Sequence, residues 1–219
     1  MTKLALRDGV TLYFCRHGET EANIALRFQG RTIDTPLTDK GRFQAAAIGH
    51  SLVRECPAPS ALAYVSSPLQ RAQTTMQIIR ETAHLPPAEY TTDARLLEIN
   101  LGGWDGLTDA QAKALDPAVY EKRTANKGEI RVPGGGENYA DVAARLESWV
   151  HDLSADTFAV SHGAATRILR GLFQGLSWQQ MSDTDEKQGV LFRVRGSTIE
   201  RFDPPEDLAK PPPGPHPPG

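Results

Sequence analysis

Arg16-His17-Gly18 follows the apolar run TLYFC (11–15), and a second histidine-glycine pair, His162-Gly163, follows TFAVS (157–161). Neutral imidazole is a good nucleophile near pH 7, and a guanidinium fork binds phosphate oxygens bidentately. A further arginine, Arg71 in SSPLQRAQTT, lies just after a third apolar run, LAYVS (62–66). Two histidines and two arginines suit a dianionic phosphoryl group, with the cations neutralising the transferring oxygens. Two histidines with a carboxylate also suit a metal ion. Arg16 beside His17 argues against one, since a guanidinium repels a cation, and no metal is expected.

Something must bring these residues together. The three apolar runs read as short buried strands. Helices are expected between and after them. One runs from Thr38, its N-cap, to about residue 53, and one has Pro68 in its first turn, reaches about Thr82 and stops at Pro86-Pro87. Residues 110–115 form a short helix. Residues 139–153 form the strongest, with Val142, Leu146, Trp149, Val150 and Leu153 on one face. The last covers 164–173 and stops at Gly175. The region 189–203 predicts a hairpin turning at Gly196-Ser197. Strands alternating with helices imply an α/β fold, a three-layer sandwich whose largely parallel sheet is flanked by helices. In such sheets ligands bind beyond the carboxyl ends of the strands. If the strands at 11–15 and 157–161 are neighbours, both histidines face one crevice.

Composition narrows the function. The chain has 219 residues, 39% of them hydrophobic, and a formal net charge of -3. It lacks the basic excess of a nucleic-acid binder, so positive charge for an anionic substrate must be concentrated in one site. No stretch suits a signal peptide or a bilayer span. The two cysteines form no CxxC pattern, and Cys15 reads as a buried strand thiol. A cytoplasmic protein with reduced thiols is expected. Residues 1–203 are read as a single domain and 204–219, ending PPPGPHPPG, as a Pro-rich disordered tail. Oligomeric state leaves no mark in the sequence.

The motif RHGETEAN, followed by RFQG, resembles that of the histidine phosphatase superfamily, the family of phosphoglycerate mutase. The resemblance continues in family order through DTPLTDKG (34–41), SSPLQRAQTT (66–75), LLEINLGGWDG (96–106), GGGEN (134–138) and SHG (161–163). It implies that His17 attacks phosphorus while Arg16, Arg71 and His162 neutralise the transferring oxygens. Glu98 would protonate the leaving oxygen and later accept a proton from water. Asn23 and Gln29 would line the phosphate pocket, and the backbone N–H of Ala164 would be a further donor. The substrate would be a small phosphorylated metabolite, and no cofactor is implied. An acid that is protonated at neutral pH needs a raised pKa, so Glu98 is expected near apolar groups such as Trp104. Two other carboxylates compete with it. Glu19 reads as a cap or an arginine partner, and Glu137 as a first-turn carboxylate of the helix at 139–153. His50, His84, His151 and His216 read as surface residues.

The family contains hydrolases and mutases. The mutases usually continue from the glutamate with Arg-His-Tyr-Gly, where this chain has Ile99-Asn100-Leu101-Gly102. They also carry a longer basic insertion before the Gly-rich motif, and Asn where Ala164 stands. These departures favour phosphomonoester hydrolysis over a phosphomutase, although Lys122, Arg123 and Lys127 could replace part of the missing charge. A catalytically silent phosphate-binding module is the third reading. The presence of all of Arg16, His17, Arg71, Glu98 and His162 speaks for an enzyme.

Overall fold

Side chains alternate across a strand, and in this protein the alternation divides the core into two layers. The computed structural model describes residues 3–185 and 187–204. Its elements in chain order are β1 (Thr11–Arg16), α1 (Glu21–Ile24), α2 (Asp39–Glu55), β2 (Ala63–Ser66), α3 (Gln70–Thr82), β3 (Thr91–Thr92) and α4 (Asp109–Leu115). They continue with α5 (Pro117–Ala125), α6 (Tyr139–Asp152), β4 (Thr157–Ser161), α7 (Gly163–Gln174), α8 (Trp178–Asp183), β5 (Leu191–Arg195) and β6 (Thr198–Phe202). On one face of the sheet, Leu12, Phe14 and Ala159 pack with Val142, Leu146 and Trp149 of α6 and with Ile168 and Leu172 of α7. On the other, Tyr13, Cys15, Phe158 and Val160 pack with Ile48 and Leu52 of α2 and with Met76 and Ile79 of α3. This is the expected α/β sandwich.

The six strands lie in the order β3-β2-β4-β1-β5-β6. β1 pairs with β4 in parallel, as do β2 with β4 and β2 with β3, while β5 and β6 are antiparallel. The C-terminal hairpin is the expected one, and Gly196 at its turn has φ of 56°. β1 and β4 are indeed neighbours, in a register that places Arg16 opposite Ser161. His17 and His162 therefore leave the same sheet edge side by side.

Most helix ends follow local chemistry. Thr38 caps α2 by accepting the Gly41 N–H at 2.9 Å. α7 ends at Gly175, whose φ of 70° is the left-handed conformation glycine tolerates. The start of α3 differs from the expectation that Pro68 lies in its first turn. The helix begins at Gln70, and its N-cap, Leu69, offers no side-chain bond. The capping carboxylate comes from a distant loop: Asp34 accepts the N–H groups of Gln70 at 2.5 Å and Arg71 at 3.4 Å. α1, α5, α8 and β3 were not expected from the sequence.

One close approach sets the loop that carries the first histidine. A Cβ on Gly18 would lie 2.1 Å from the Gly41 carbonyl oxygen, and one on Gly41 would lie 2.0 Å from that of Glu19. Only two glycines let this loop meet the start of α2. Both cysteines are buried and free. Among the described residues, no helix is long and apolar enough to cross a membrane. The tail expected at 204–219 falls, from residue 205 on, outside the described residues, as does His216.

Candidate active site

His17 is held at both ends. Its backbone N–H donates to the Ser161 carbonyl at 2.9 Å, which extends the β1–β4 ladder. Its ring Nδ1 lies 2.7 Å from the Gly18 carbonyl oxygen. A carbonyl can only accept, so Nδ1 carries the proton and Nε2 keeps its lone pair. Arg71 Nε donates to that lone pair at 3.3 Å. Burial, then the charges of Arg16 and Arg71, hold the His17 pKa well below the ordinary 6.5, with the Gly18 bond acting the other way. The ring is therefore neutral at physiological pH.

His162 occupies the N-cap of α7, and its ring centroid lies 5.2 Å from that of His17. Its Nε2 is 2.6 Å from Ser67 Oγ. Its buried Nδ1 has no hydrogen-bond partner among the described residues. Burial first, then Arg71, His17 and Arg16, hold this ring also well below 6.5. Charge stabilisation of a transferring group favours an imidazolium, and these surroundings favour a neutral imidazole instead. An arriving phosphate dianion acts in the opposite sense and favours protonation.

Arg71 is fully buried, and its guanidinium is tied on every side. Nη1 pairs with Asp34 Oδ1 at 3.0 Å and donates to the Ile33 carbonyl at 3.2 Å, while Nη2 donates to the Gly30 carbonyl at 2.8 Å. The loop supplying those carbonyls is itself clamped. Asp105 accepts the backbone N–H groups of Gly30, Arg31 and Thr32 at 2.7, 3.0 and 2.7 Å, and the Thr32 hydroxyl at 2.6 Å. Behind His17, Thr75 Oγ1 accepts the Gly18 N–H at 3.1 Å and donates to the Arg71 carbonyl.

The Glu98 carboxylate faces the start of α7. Its Oε2 accepts the Ala164 N–H at 3.2 Å, and its Oε1 accepts those of Ala165 at 3.2 Å and Ile99 at 2.8 Å. Three N–H donors and a helix N-terminus thus meet the carboxylate, which suit an anion, and Ile99, Leu101 and Trp104 share the cavity wall with it. The Ala164 N–H, expected to serve phosphate, donates to Glu98. The Gln29 amide bridges the Thr20 and Thr35 hydroxyls at 2.8 and 3.1 Å, and Asn23 Oδ1 accepts the N–H of Thr20 and the amide of Gln188. Both residues brace the loop around the site.

A cavity of about 350 Å³ opens here, lined by Arg16, His17, Asn23, Gln29, Glu98 and Ala164. Arg71 and His162, both fully buried, do not line it and reach it only through their neighbour His17, Arg71 Nε bonding its Nε2 and the His162 ring lying 5.2 Å from its ring. Farther out the walls carry Phe28, Trp104 and Tyr120 together with Arg27, Arg123, Lys127 and Arg167. Arg123 is buried and donates to the Ile130 carbonyl, whereas Lys122 is exposed and lies off the cavity.

The competing carboxylates have other partners. Glu19 pairs with Lys40 at 2.8 Å and not with an arginine. Glu137 lies outside α6, whose N-cap is Asn138, and binds Arg31 and Arg145. His50, His84 and His151 are exposed as expected, His84 in a left-handed conformation with φ of 58°. Ser67, Asp34, Thr75, Arg31 and Arg145 were not singled out from the sequence. Asp34 and Ser67 lie in the motifs that carry the resemblance, and that proximity was their only signal. Arg31 and Arg145 gave none.

Fold and site define a member of one protein class. The family model of the histidine phosphatase superfamily (branch 1) matches residues 12–196, and the chain belongs to that family. Glucosyl-3-phosphoglycerate phosphatase of Mycolicibacterium vanbaalenii is 38% identical over 65% of this chain, a match spanning 59% of that relative's length. The 2,3-bisphosphoglycerate-dependent phosphoglycerate mutase 2 of Gloeobacter violaceus is 34% identical over 80% of both chains. Among solved structures, a mycobacterial glucosyl-3-phosphoglycerate phosphatase in complex with VO3 superposes with a TM-score of 0.71 at 29% identity, covering 89% of this chain and 97% of that one.

Proposed function

We propose that this chain is a phosphomonoester hydrolase working through a covalent phosphohistidine on His17. In the first half-reaction the Nε2 lone pair attacks phosphorus and the ester P–O bond breaks. Glu98 gives its proton to the departing oxygen, while Arg16, Arg71 and His162 neutralise the three phosphoryl oxygens. In the second, a water oxygen attacks phosphorus and passes a proton to Glu98. The P–N bond breaks, its electron pair returns to Nε2, and inorganic phosphate leaves. The carboxylate environment of Glu98 fits its role as base. The substrate dianion beside it favours the proton it needs as acid.

The observation that carries this reading is the Nδ1–H bond of His17 to Gly18 O, which leaves Nε2 unprotonated and facing a buried guanidinium. Arg16 and Arg71 occupy the place a metal would take, and turnover should persist in excess chelator. The substrate is read as a small phosphorylated metabolite and the compartment as the cytoplasm. Residues 1–203 are read as the working domain and 204–219 as a dispensable tail.

A phosphomutase is the second reading, favoured by Arg123 and Lys127 in the cavity wall. The two separate on one assay. Given 3-phosphoglycerate and a bisphosphate primer, the hydrolase should release inorganic phosphate much faster than it forms 2-phosphoglycerate. Isomerisation outrunning phosphate release would establish the mutase instead. Neither activity, on this or a panel of phosphomonoesters, would leave the silent binding module.

A further inference from the structure

The carboxylate of Glu98 faces the cavity, and its main-chain carbonyl faces away, into a cluster of charges that the reaction itself does not use. Arg31 Nε donates to that carbonyl at 2.8 Å and Arg145 Nη2 donates to it at 3.2 Å. Both guanidiniums are in turn held by one carboxylate. Glu137 Oε2 accepts from Arg31 Nη2 at 2.8 Å and from Arg145 Nη2 at 3.3 Å, and Oε1 accepts from Arg145 Nε at 3.2 Å. Glu137 also grips the loop directly. Its Oε2 accepts the Asn100 N–H at 2.9 Å, and its own N–H donates to the Asn100 carbonyl at 2.8 Å. Arg145 adds a bond to the Arg95 carbonyl.

The loop from 95 to 100 has no strand or helix ladder at Glu98 to fix it, since the short helical turn at Ala94–Leu96 ends before it. These bonds take the place of one. Two cations sharing a carbonyl repel each other, and a carboxylate between them removes that repulsion. All three side chains are largely buried, with exposures of 27% for Arg31, 19% for Glu137 and 14% for Arg145. In such a setting the loss of one partner leaves the others uncompensated.

We infer that Glu137 is a positioning residue for the reaction proposed above: through Arg31 and Arg145 it clamps the backbone of Glu98 and so aims the Glu98 carboxylate at the leaving oxygen. The inference rests on the proposed acid role of Glu98. It gives the Gly-rich turn before α6 a function that helix capping does not explain, because Asn138 already caps that helix.

The test exploits the leaving group. An alkyl phosphate such as 3-phosphoglycerate departs as an alkoxide and needs a proton, whereas 2,4-dinitrophenyl phosphate departs without one. Single-turnover release of the leaving group is measured for both substrates with wild type, Glu137→Gln and Glu98→Gln. Glu137→Gln should slow the alkyl ester roughly 10–100-fold and change the dinitrophenyl ester by less than about threefold, with Glu98→Gln showing the same pattern at larger size. Arg31→Gln, which leaves Glu137 paired with Arg145, should show it at smaller size and serves if Glu137→Gln does not fold. Equal losses on both esters, or no loss on either, in the Glu137 and Arg31 variants overturn the inference while Glu98→Gln still discriminates. If Glu98→Gln itself fails to discriminate, the acid assignment falls and the inference falls with it.

Discussion

At one end of the cavity the functional groups stand on the sheet. His17 and His162 follow paired parallel strands, and Arg71 starts the helix after the next strand. At the other end, Phe28, Trp104, Tyr120, Arg123 and Lys127 stand on loops, on the helical turn Gly102–Trp104 and on the short helix α5, around a small core of Trp104, Ala112 and Val132. The first end is tightly determined: His17 is held by the Gly18 carbonyl, Arg71 by Asp34 and backbone carbonyls, and His162 by the Ser67 hydroxyl. The second presents a mixed aromatic and cationic wall. Chemistry that needs sub-ångström placement sits where the hydrogen-bond ladder supplies it, and the face that meets the alcohol sits where the chain can vary in shape.

The comparison breaks most readily at Asp34. This carboxylate pairs with a fully buried guanidinium and caps the helix that carries it. Asp34→Asn should lower kcat for 4-nitrophenyl phosphate roughly 10–100-fold and also lower Tm, since removing one partner strands the other. Less than a twofold loss in kcat would mean that Arg71 keeps its aim without its partner, and that the phosphoryl end is less tightly determined than described.

A change at the outer end should act on binding and spare the chemistry. Lys127→Ala should raise KM for 3-phosphoglycerate several-fold, through the loss of one cation facing its carboxylate. It should leave kcat for 4-nitrophenyl phosphate within about twofold. A large fall in kcat for both esters would show that the two ends are coupled.

The smallest expected effect is that of pH. The folded chain holds His17 and His162 neutral well below 6.5, the ordinary value that the unfolded chain recovers. Between the two values the unfolded state binds more protons, so stability is complete above about 6.5 and is lost progressively as pH falls below it. Tm should decline on acidification from 6.5, and His162→Asn should flatten that decline. Substrate phosphate titrates at about 6, so the acid limb of kcat/KM should follow the ester and not His17. A limb that stays at one pH when the ester's own second pKa is changed, and lies at or above 6.5, would contradict a neutral, buried nucleophile.

Much of the phosphoryl end was legible in the sequence because its signals are local. A β-rich run ending at a His-Gly pair marks both a strand end and a reactive group, so TLYFC-Arg16-His17 and TFAVS-His162 needed only the parallel pairing that the α/β pattern implies. The rest depends on partners far apart in the chain. The start of α3 was misplaced at Pro68 because its cap is Asp34, a residue on another loop. Glu137 read as a helix-dipole carboxylate because nothing near it in sequence announces Arg31 or Arg145. α5 gave no signal because Arg123 is its one buried side chain, so it carries no apolar stripe. Two donors to Glu98 gave no signal for a similar reason: the N–H groups of Ala164 and Ala165 reach it only once α7 is folded against its loop.

The central claim is a covalent intermediate on one particular histidine, and it can be observed. Wild-type protein mixed with 4-nitrophenyl phosphate is quenched in alkali within the first turnover, digested, and analysed by mass spectrometry for phosphoryl-bearing peptides. The account predicts one phosphoryl group on His17, its formation as fast as nitrophenolate release, and neither phosphoenzyme nor turnover in His17→Ala. Turnover persisting in that variant, or a phosphoryl group on His162 or on no residue at all while wild type turns over, would contradict it.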